Sequence, residues 1–256
     1  MSRWCSNQLS YAPKELRILA NKMPGSKSRI ALLLNVIISP FAEHPPIMSK
    51  YHLPIEESIA DEVATQGYAV RPEFLSTAEV AALANNLRAL QQSGEMHGAG
   101  IGKDAEITNS VRGDFIHWLD ETSATQAQQV YLQRLEKLRL AFNQTLYLGL
   151  FEFEGHFASY PPGAYYRKHL DQFQHDSQRA LTCILYLNDA WMEADGGLLR
   201  IYLDENDDTI YRDIQPEGGT LVTFLSSRLW HEVLPAQRER LSITGWFRTR
   251  PAQPSI

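Results

Sequence analysis

The sequence predicts a mixed α+β protein whose core is mainly β: a double-stranded β-helix, or jelly roll, supported by N-terminal helices. Apolar residues at helical spacing are concentrated before residue 148. After that point the chain changes to short β-prone runs bounded by proline and glycine. Seven or eight such runs at this spacing are typical of a sandwich or a jelly-roll barrel. We therefore assign helical support to residues 48–147 and the jelly-roll core to residues 148–250.

The composition is that of an ordinary globular protein. The chain has 256 residues, 44% hydrophobic and 21% charged, enough for one domain or two small ones. Its formal net charge of -6 gives no general attraction to phosphate backbones or anionic lipid, so we expect neither nucleic acid nor membrane as a partner. Cys5 and Cys183 are too few for a disulfide framework or a thiolate metal site, which favours the reducing cytoplasm.

Residues 1–47 are predicted to be an N-terminal extension that is not part of the functional protein. They contain basic residues followed by an apolar run at residues 30–38, which is too short to span a bilayer. A signal peptide is the alternative, but the stretch before this run is long and no A-x-A cleavage site follows it. We expect the functional protein to begin at Met48 and residues 48–256 to form one domain.

Three helices are predicted before the β-rich part. Residues 54–66 have helical spacing and stop before a glycine. Ser76 followed by Glu79 is a capping-box pattern, which predicts a second helix to about residue 92. Residues 124–147 keep an approximate helical repeat, which predicts a third helix long enough to support a sheet.

Between the second and third helices, residues 95–110 contain three glycines and little periodicity, so we expect a mobile loop or lid. The strand candidates come after the third helix. They are L-F-E-F-E, G-H-F-A-S-Y, L-T-C-I-L-Y-L, L-L-R-I-Y-L, T-L-V-T-F-L, H-E-V-L and L-S-I-T-G-W-F.

A metal site is predicted from two histidines and one aspartate. His169 and Asp171 stand at i and i+2, so on a strand or an extended rim their side chains point to the same face. This pair alone occurs easily by chance. His231, at the start of the strand candidate H-E-V-L, completes two imidazoles and one carboxylate, the facial triad of non-haem iron oxygenases. Such a triad leaves positions open for a bidentate 2-oxo acid and for dioxygen.

The other histidines are weaker candidates for metal binding. His175 is the nearest rival, but it lies in a polar stretch that is typical of a solvated loop. His117 and His156 lie in strand-like contexts, where we expect structural histidines. The remaining histidines are His44, His52 and His97.

A co-substrate anchor is predicted nine residues after His231, at Arg240. In R-L-S-I-T-G-W the residues Arg, Ser, Thr and Trp alternate with Leu, Ile and Gly, so on a strand these four share one face. A buried guanidinium needs an anionic partner, and its fork matches the distal carboxylate of 2-oxoglutarate. Tyr186, on another strand candidate, offers a second donor. A surface ion pair for the arginine and a simple core position for the tyrosine are the alternatives.

Six segments in this order resemble the prolyl hydroxylases among the 2-oxoglutarate/iron oxygenases, especially the hypoxia-factor prolyl hydroxylases and their bacterial counterparts. They are V-R-G-D-F-I-H-W-L (111–119), Y-P-P-G-A-Y-Y-R-K-H-L-D (160–171), L-T-C-I-L-Y-L-N-D-A-W (181–191), G-G-L-L-R-I-Y (196–202), H-E-V-L-P-A (231–236) and R-L-S-I-T-G-W (240–246). The collagen-type branch has lysine where Arg240 stands. The interval from Tyr160 to His169 is one residue shorter than in animal members, and the extension and the loop at 95–110 have no matching sequence.

The resemblance implies a role for each matching residue. His169, Asp171 and His231 match the iron ligands. Arg240 and Tyr186 match the groups that bind the distal carboxylate. The matches near the co-substrate are Tyr160, Tyr166 and Thr244; those at the base of the mobile loop are Arg112 and Asp114; those along the substrate approach are Arg179 and Trp246.

The resemblance also implies a function. The chain is expected to be an Fe(II)- and 2-oxoglutarate-dependent dioxygenase that uses O2 to hydroxylate C4 of a prolyl residue in a protein, with ascorbate as a candidate reductant. Elongation factor Tu is a candidate substrate, because bacterial relatives are associated with it. We expect an oxygen-responsive, cytoplasmic monomer.

Two alternatives stay open. One is hydroxylation of a free amino acid or another small molecule, and the other is a non-catalytic iron-binding or oxygen-sensing β-barrel. A zinc hydrolase is weaker, because no obvious general base is near the triad and Arg240 is left unexplained.

Overall fold

The computed structural model describes residues 53–100, 111–172 and 178–251. The predicted extension, residues 1–47, lies outside the described residues, and so do His175 and most of the predicted loop.

The three predicted helices are confirmed, with small changes at their ends. They are α1 (Ile55–Gln66), α2 (Thr77–Ser93) and α3 (Gln126–Leu146). Gly67 ends α1 in the left-handed region, with φ of 89°, where a residue without Cβ is at ease. Ser76 caps α2 through the predicted box with Glu79. None of these helices combines the length and the apolarity that a bilayer crossing requires.

Eleven strands form two antiparallel sheets within the described ranges. They are β1 (Tyr68–Arg71), β2 (His97–Gly98), β3 (Phe115–Trp118), β4 (Leu150–Tyr160), β5 (Tyr166–His169), β6 (Arg179–Tyr186), β7 (Leu199–Tyr202), β8 (Tyr211–Ile214), β9 (Leu221–Leu225), β10 (His231–Val233) and β11 (Arg240–Thr249). The large sheet has the order β1-β9-β6-β11-β4-β3-β2, and the small sheet has the order β5-β10-β7-β8. This mainly β core with supporting helices is consistent with the predicted jelly roll.

The strand prediction divided β4 into two runs and missed β5. The first two predicted runs are one strand, β4, which pairs with β11 through a register running from Arg240 opposite Tyr160 to Thr249 opposite Leu150. β5, with the polar sequence Y-R-K-H, has no alternation that predicts a strand. It is a strand because β10 supplies its hydrogen bonds.

The large sheet has one apolar face and one mixed face. Leu241, Ile243 and Phe247 of β11 belong to the core that also contains side chains of the three helices. The helical part and the β part therefore share one hydrophobic core. The alternate residues of β11 face the small sheet, because side chains alternate along a strand. This second face carries the polar side chains of the site.

Candidate metal centre

The pairing of β5 with β10 brings the two predicted histidines together. His169, the last residue of β5, is the register partner of His231, the first residue of β10, and their ring centroids are 4.2 Å apart. Asp171 lies 3.4 Å from Nε2 of His169 through Oδ1 and 3.5 Å from Nε2 of His231 through Oδ2. One ligand atom from each of the three residues lies within 4.8 Å of the others. The three side chains can therefore hold one metal ion.

Backbone contacts orient both imidazoles for metal binding. Nδ1 of His169 lies 2.7 Å from the carbonyl oxygen of Arg167, and Nδ1 of His231 lies 3.1 Å from that of Leu229. A carbonyl oxygen only accepts, so each Nδ1 carries the proton and each Nε2 keeps its lone pair. Two neutral imidazole nitrogens and one carboxylate are the donor set of non-haem Fe(II) oxygenases, so the residues present fit this metal.

Asp171 is buried, yet its surroundings keep it ionised. Burial alone would raise the pKa of its carboxyl group, but His231, His169 and a hydrogen bond from Thr182 outweigh burial and hold the pKa below its usual range. Thr182 Oγ1 donates to Asp171 Oδ2 at 2.7 Å and lies 2.9 Å from Oγ of Ser226. Thr182 thus fixes one carboxylate oxygen and leaves the other for a metal.

We expect Thr182→Val to weaken metal binding about 10- to 100-fold, because an outer hydrogen bond that orients a ligand contributes this much in other metalloproteins. Fe(II) titration under anaerobic conditions measures the change. Thr223→Val is the matched control: Thr223 is buried on the neighbouring strand, and its hydroxyl contacts Cys183 Sγ at 3.4 Å. Equal metal affinities in the two variants would remove Thr182 from this role.

The predicted anchor, Arg240, lines the same cavity. Its side chain is buried, and its Nε donates to the carbonyl oxygen of Gly197 at 3.0 Å. Its Nη2 atom and the hydroxyl of Tyr186 are both buried with no hydrogen-bond partner among the described residues. The guanidinium carbon lies 4.9 Å from the Tyr186 ring. Two buried, unpaired donors fit an incoming carboxylate, so the residues present fit 2-oxoglutarate.

Burial raises the pKa of Tyr186 to about 12, although Arg240 opposes the shift, so the phenol keeps its proton. Gly197 allows Arg240 to lie where it does. It has φ of +65°, and a Cβ there would lie 2.8 Å from Cβ of Ala236 and 3.3 Å from Cδ of Arg240. The second glycine of the G-G pair in the segment 196–202 therefore leaves the space that the Arg240 side chain occupies.

The other residues predicted near the co-substrate also surround this cavity. Tyr160 is the register partner of Arg240, and its ring centroid lies 5.3 Å from the guanidinium carbon. Tyr166 stacks on His169 with centroids 3.6 Å apart and planes 19° apart. Tyr160, Tyr166 and Thr244 line the cavity together with the three metal-binding candidates.

The two residues predicted at the base of the mobile loop form one pair, and the two predicted along the substrate approach form another. Arg112 donates to both carboxylate oxygens of Asp114, at 2.7 and 2.5 Å, and lies over the Tyr166 ring at 4.4 Å. Arg179 lies over the Trp246 ring at 3.5 Å. Arg112, Arg179 and Trp246 line the cavity. Asp114 does not, but its buried carboxylate holds Arg112 in position.

Sequence reasoning missed several residues of the cavity wall, among them the polar or aromatic side chains of Trp118 and His156. His156 was predicted to be a structural histidine, but its side chain lines the cavity, and Nδ1 has no hydrogen-bond partner among the described residues. It stands four residues before Tyr160 on β4, so strand alternation puts both on one face. This alternation is the signal that could have found it.

The unfolding free energy of the apoprotein should fall as the pH is lowered from 7 to 4.5. Burial lowers the pKa of His156 to about 3, helped by Arg112 and Arg179 and opposed by Asp114 and Asp171. Between this value and the ordinary histidine pKa the unfolded state binds the extra proton, so folding is favoured as pH rises. We expect a loss of about 2 kcal/mol or more at pH 4.5.

Denaturant unfolding at the two pH values measures this loss. His156→Leu should reduce it, whereas His117→Leu should not, because His117 is not among the buried side chains. An equal loss of unfolding free energy in His156→Leu and in the unmodified protein would show that His156 does not cause the pH dependence.

A jelly roll that carries two imidazoles, one carboxylate and a buried arginine along one cavity defines the class of mononuclear non-haem iron oxygenases. The comparisons narrow this class. Residues 155–248 match the 2OG-Fe(II) oxygenase superfamily. The chain belongs to this superfamily, in its prolyl hydroxylase family, whose members use Fe(II) and 2-oxoglutarate.

Three relatives illustrate the family. A prolyl-4-hydroxylase from Pseudomonas putida has a sequence 45% identical to that of this chain. Its crystal structure matches with a TM-score of 0.70 over 77% of this chain and 100% of that one. A prolyl hydroxylase from Trichoplax adhaerens, solved with a hypoxia inducible factor peptide fragment, is 27% identical with a TM-score of 0.69 over 75% and 88% of the two chains. Human Egl nine homolog 1 is 30% identical over 190 residues, which cover 71% of this chain and 43% of that protein.

The predicted resemblance to prolyl hydroxylases is thereby confirmed. The chain spans about half the length of the curated relatives that it matches, between 43% and 55% for the Egl nine homologs of human, rat and mouse.

Proposed function

We propose that the protein is an Fe(II)- and 2-oxoglutarate-dependent dioxygenase that hydroxylates C4 of a prolyl residue in a protein substrate. The observation that carries the proposal is one cavity lined both by the metal-binding candidates and by a buried arginine. His169, Asp171 and His231 offer three metal ligands. Arg240, with Tyr186 beside it, offers donors that have no partner among the described residues. The membership of the family supports the same chemistry.

In this proposal the three ligands would hold the iron. When bound, the iron would supply the oxidative chemistry in which 2-oxoglutarate, O2 and the prolyl residue give succinate, carbon dioxide and the hydroxyprolyl residue. Arg240 and Tyr186 bind the distal carboxylate and so set the direction in which the co-substrate lies. Thr182 holds one oxygen of Asp171 by a hydrogen bond and leaves the other oxygen for the metal. The apolar wall of Ile184, Leu199 and Val233 excludes bulk water from the cavity.

A polypeptide is favoured over a free amino acid as the substrate. Trp118 and Arg179 line the cavity, and 49% of the Trp118 surface is open to solvent, so an extended chain has a large surface to contact. The Trichoplax relative was solved with a peptide fragment. Elongation factor Tu is our candidate substrate, with hydroxylation that responds to oxygen supply. We further propose a cytoplasmic monomer that uses ascorbate as reductant and binds neither nucleic acid nor membrane.

Mass spectrometry of proteins from cells with and without the gene tests the proposal. We expect at least one prolyl residue to carry one additional oxygen atom only in cells that have the gene. Purified protein with Fe(II) and 2-oxoglutarate should release succinate faster when a lysate of the deleted cells is added. Stimulation by free proline instead would favour a small-molecule hydroxylase. Stoichiometric iron without any succinate would favour a non-catalytic iron-binding protein.

A further inference from the structure

His156 is a buried polar side chain with a ring nitrogen that the described part of the fold leaves unpaired. Only 2% of its surface is exposed, and its Nδ1 atom has no hydrogen-bond partner among the described residues. A buried ring nitrogen without a partner is costly, so a position that serves packing alone is better filled by an apolar side chain. His156 also lines the cavity that contains the metal-binding candidates.

The surroundings of His156 place it away from the co-substrate anchor. Its ring lies 4.9 Å from the Trp118 ring and 5.6 Å from the Trp246 ring, measured between centroids. Its register partners are Thr244 on β11 and Trp118 on β3. Arg240 pairs instead with Tyr160, four residues further along β4, or about 13 Å at the usual rise of a strand. His156 therefore belongs to the part of the cavity with Trp118, Trp246 and Arg179.

A prolyl residue presents few groups by which an enzyme can orient it. Its ring has no polar atom outside the backbone, and its nitrogen carries no hydrogen. Hydrogen bonds that hold it must go to its carbonyl oxygen or to peptide groups of neighbouring residues. The indole and guanidinium groups beside His156 give contact area, and a hydrogen-bonding imidazole adds direction.

We propose that His156 is a substrate-binding residue, whose imidazole forms a hydrogen bond with a peptide group of the polypeptide at or next to the target prolyl residue. This inference rests on the proposed function. It adds a specificity for polypeptide over free proline, because free proline has no neighbouring peptide group. His156 positions the substrate and takes no part in binding iron.

The test compares His156→Leu with His156→Asn, because these two side chains have the same shape and only asparagine forms hydrogen bonds. The probe is soluble protein from cells lacking the gene, and the readout is the rate of protein hydroxyproline formation at varied lysate protein and at varied 2-oxoglutarate. We expect the leucine variant to need roughly tenfold more lysate protein for half-maximal rate. Asparagine should restore most of this loss. The requirement for 2-oxoglutarate should stay within about twofold in both variants.

Thermal unfolding separates this role from a structural one. Because Nδ1 has no partner within the described protein, the leucine variant should melt at the same temperature as the unmodified protein or higher. His117→Leu is the matched control on the neighbouring strand: Nδ1 of His117 contacts the carbonyl oxygen of Glu95, and this variant should leave both half-maximal concentrations unchanged.

Three results would overturn the inference. The first is a leucine variant that needs no more lysate protein for half-maximal rate than the unmodified protein, and the second is an asparagine variant that needs as much as the leucine variant. The third is a leucine variant that melts at a lower temperature and needs more of both lysate protein and 2-oxoglutarate. If the unmodified protein forms no protein hydroxyproline, the proposed function itself fails. That result is distinct from the other three.

Discussion

His231→Ala is expected to abolish iron-dependent turnover of 2-oxoglutarate. His231 supplies one of the three converging ligand atoms, and its Nδ1 is already held by the carbonyl oxygen of Leu229, so no other described histidine can replace it at that position. Loss of a group that only orients a ligand weakens metal binding 10- to 100-fold, and loss of the ligand itself should cost at least about 100-fold. Succinate formation and anaerobic Fe(II) titration measure the two effects.

Thermal unfolding with and without metal identifies the cause of the loss. A metal that binds only the folded state raises its melting temperature, so the unmodified protein should be stabilised by Fe(II) and the alanine variant should not. His117→Ala is the matched control, since His117 is on β3, outside the group of three, and should keep both turnover and stabilisation. Unchanged turnover in His231→Ala would exclude the metal centre proposed here.

Arg240→Met is expected to raise the KM for 2-oxoglutarate at least about 30-fold. The variant leaves the distal carboxylate in a buried place without its charged partner, and loss of one partner of a buried charge pair costs about 2 kcal/mol or more. The KM of Arg240→Lys should lie between those of Arg240→Met and the unmodified protein, because lysine keeps the positive charge but lacks the paired N–H donors of the guanidinium group. The readout is the 2-oxoglutarate dependence of succinate formation.

Arg238→Met is the control for this prediction. Arg238 is two residues away, its side chain is 42% exposed, and it pairs with Asp195 and with the carbonyl oxygen of Asp189. Its loss should leave the KM unchanged. Melting temperatures of both variants show whether the lost bond from Arg240 to Gly197 disturbs the fold. A KM for Arg240→Met equal to that of the unmodified protein would remove Arg240 from the anchor.

Local patterns in the sequence predicted much of the architecture. The helical repeat predicted α3 to within two residues at its start and one at its end, because the period of 3.6 residues is a property of the helix alone. The alternation in R-L-S-I-T-G-W placed Arg240, Thr244 and Trp246 of β11 on one face, and all three line the cavity, because the period of a strand is also local.

The sequence by itself also determined which residue types are available for the chemistry: two histidines, one aspartate and an arginine on strand-like segments. Tertiary structure decided that they meet. His169 and His231 become neighbours because β5 pairs with β10, and the polar sequence of β5 gives no local sign of that pairing. Tertiary structure also decided that Nδ1 of His156 has no hydrogen-bond partner in the described part of the chain and that this side chain lines the cavity, against the expectation of a structural histidine. The physical reason is the same in both cases: the period of a strand is set along the chain, but register and burial are set by strands that lie far away in sequence.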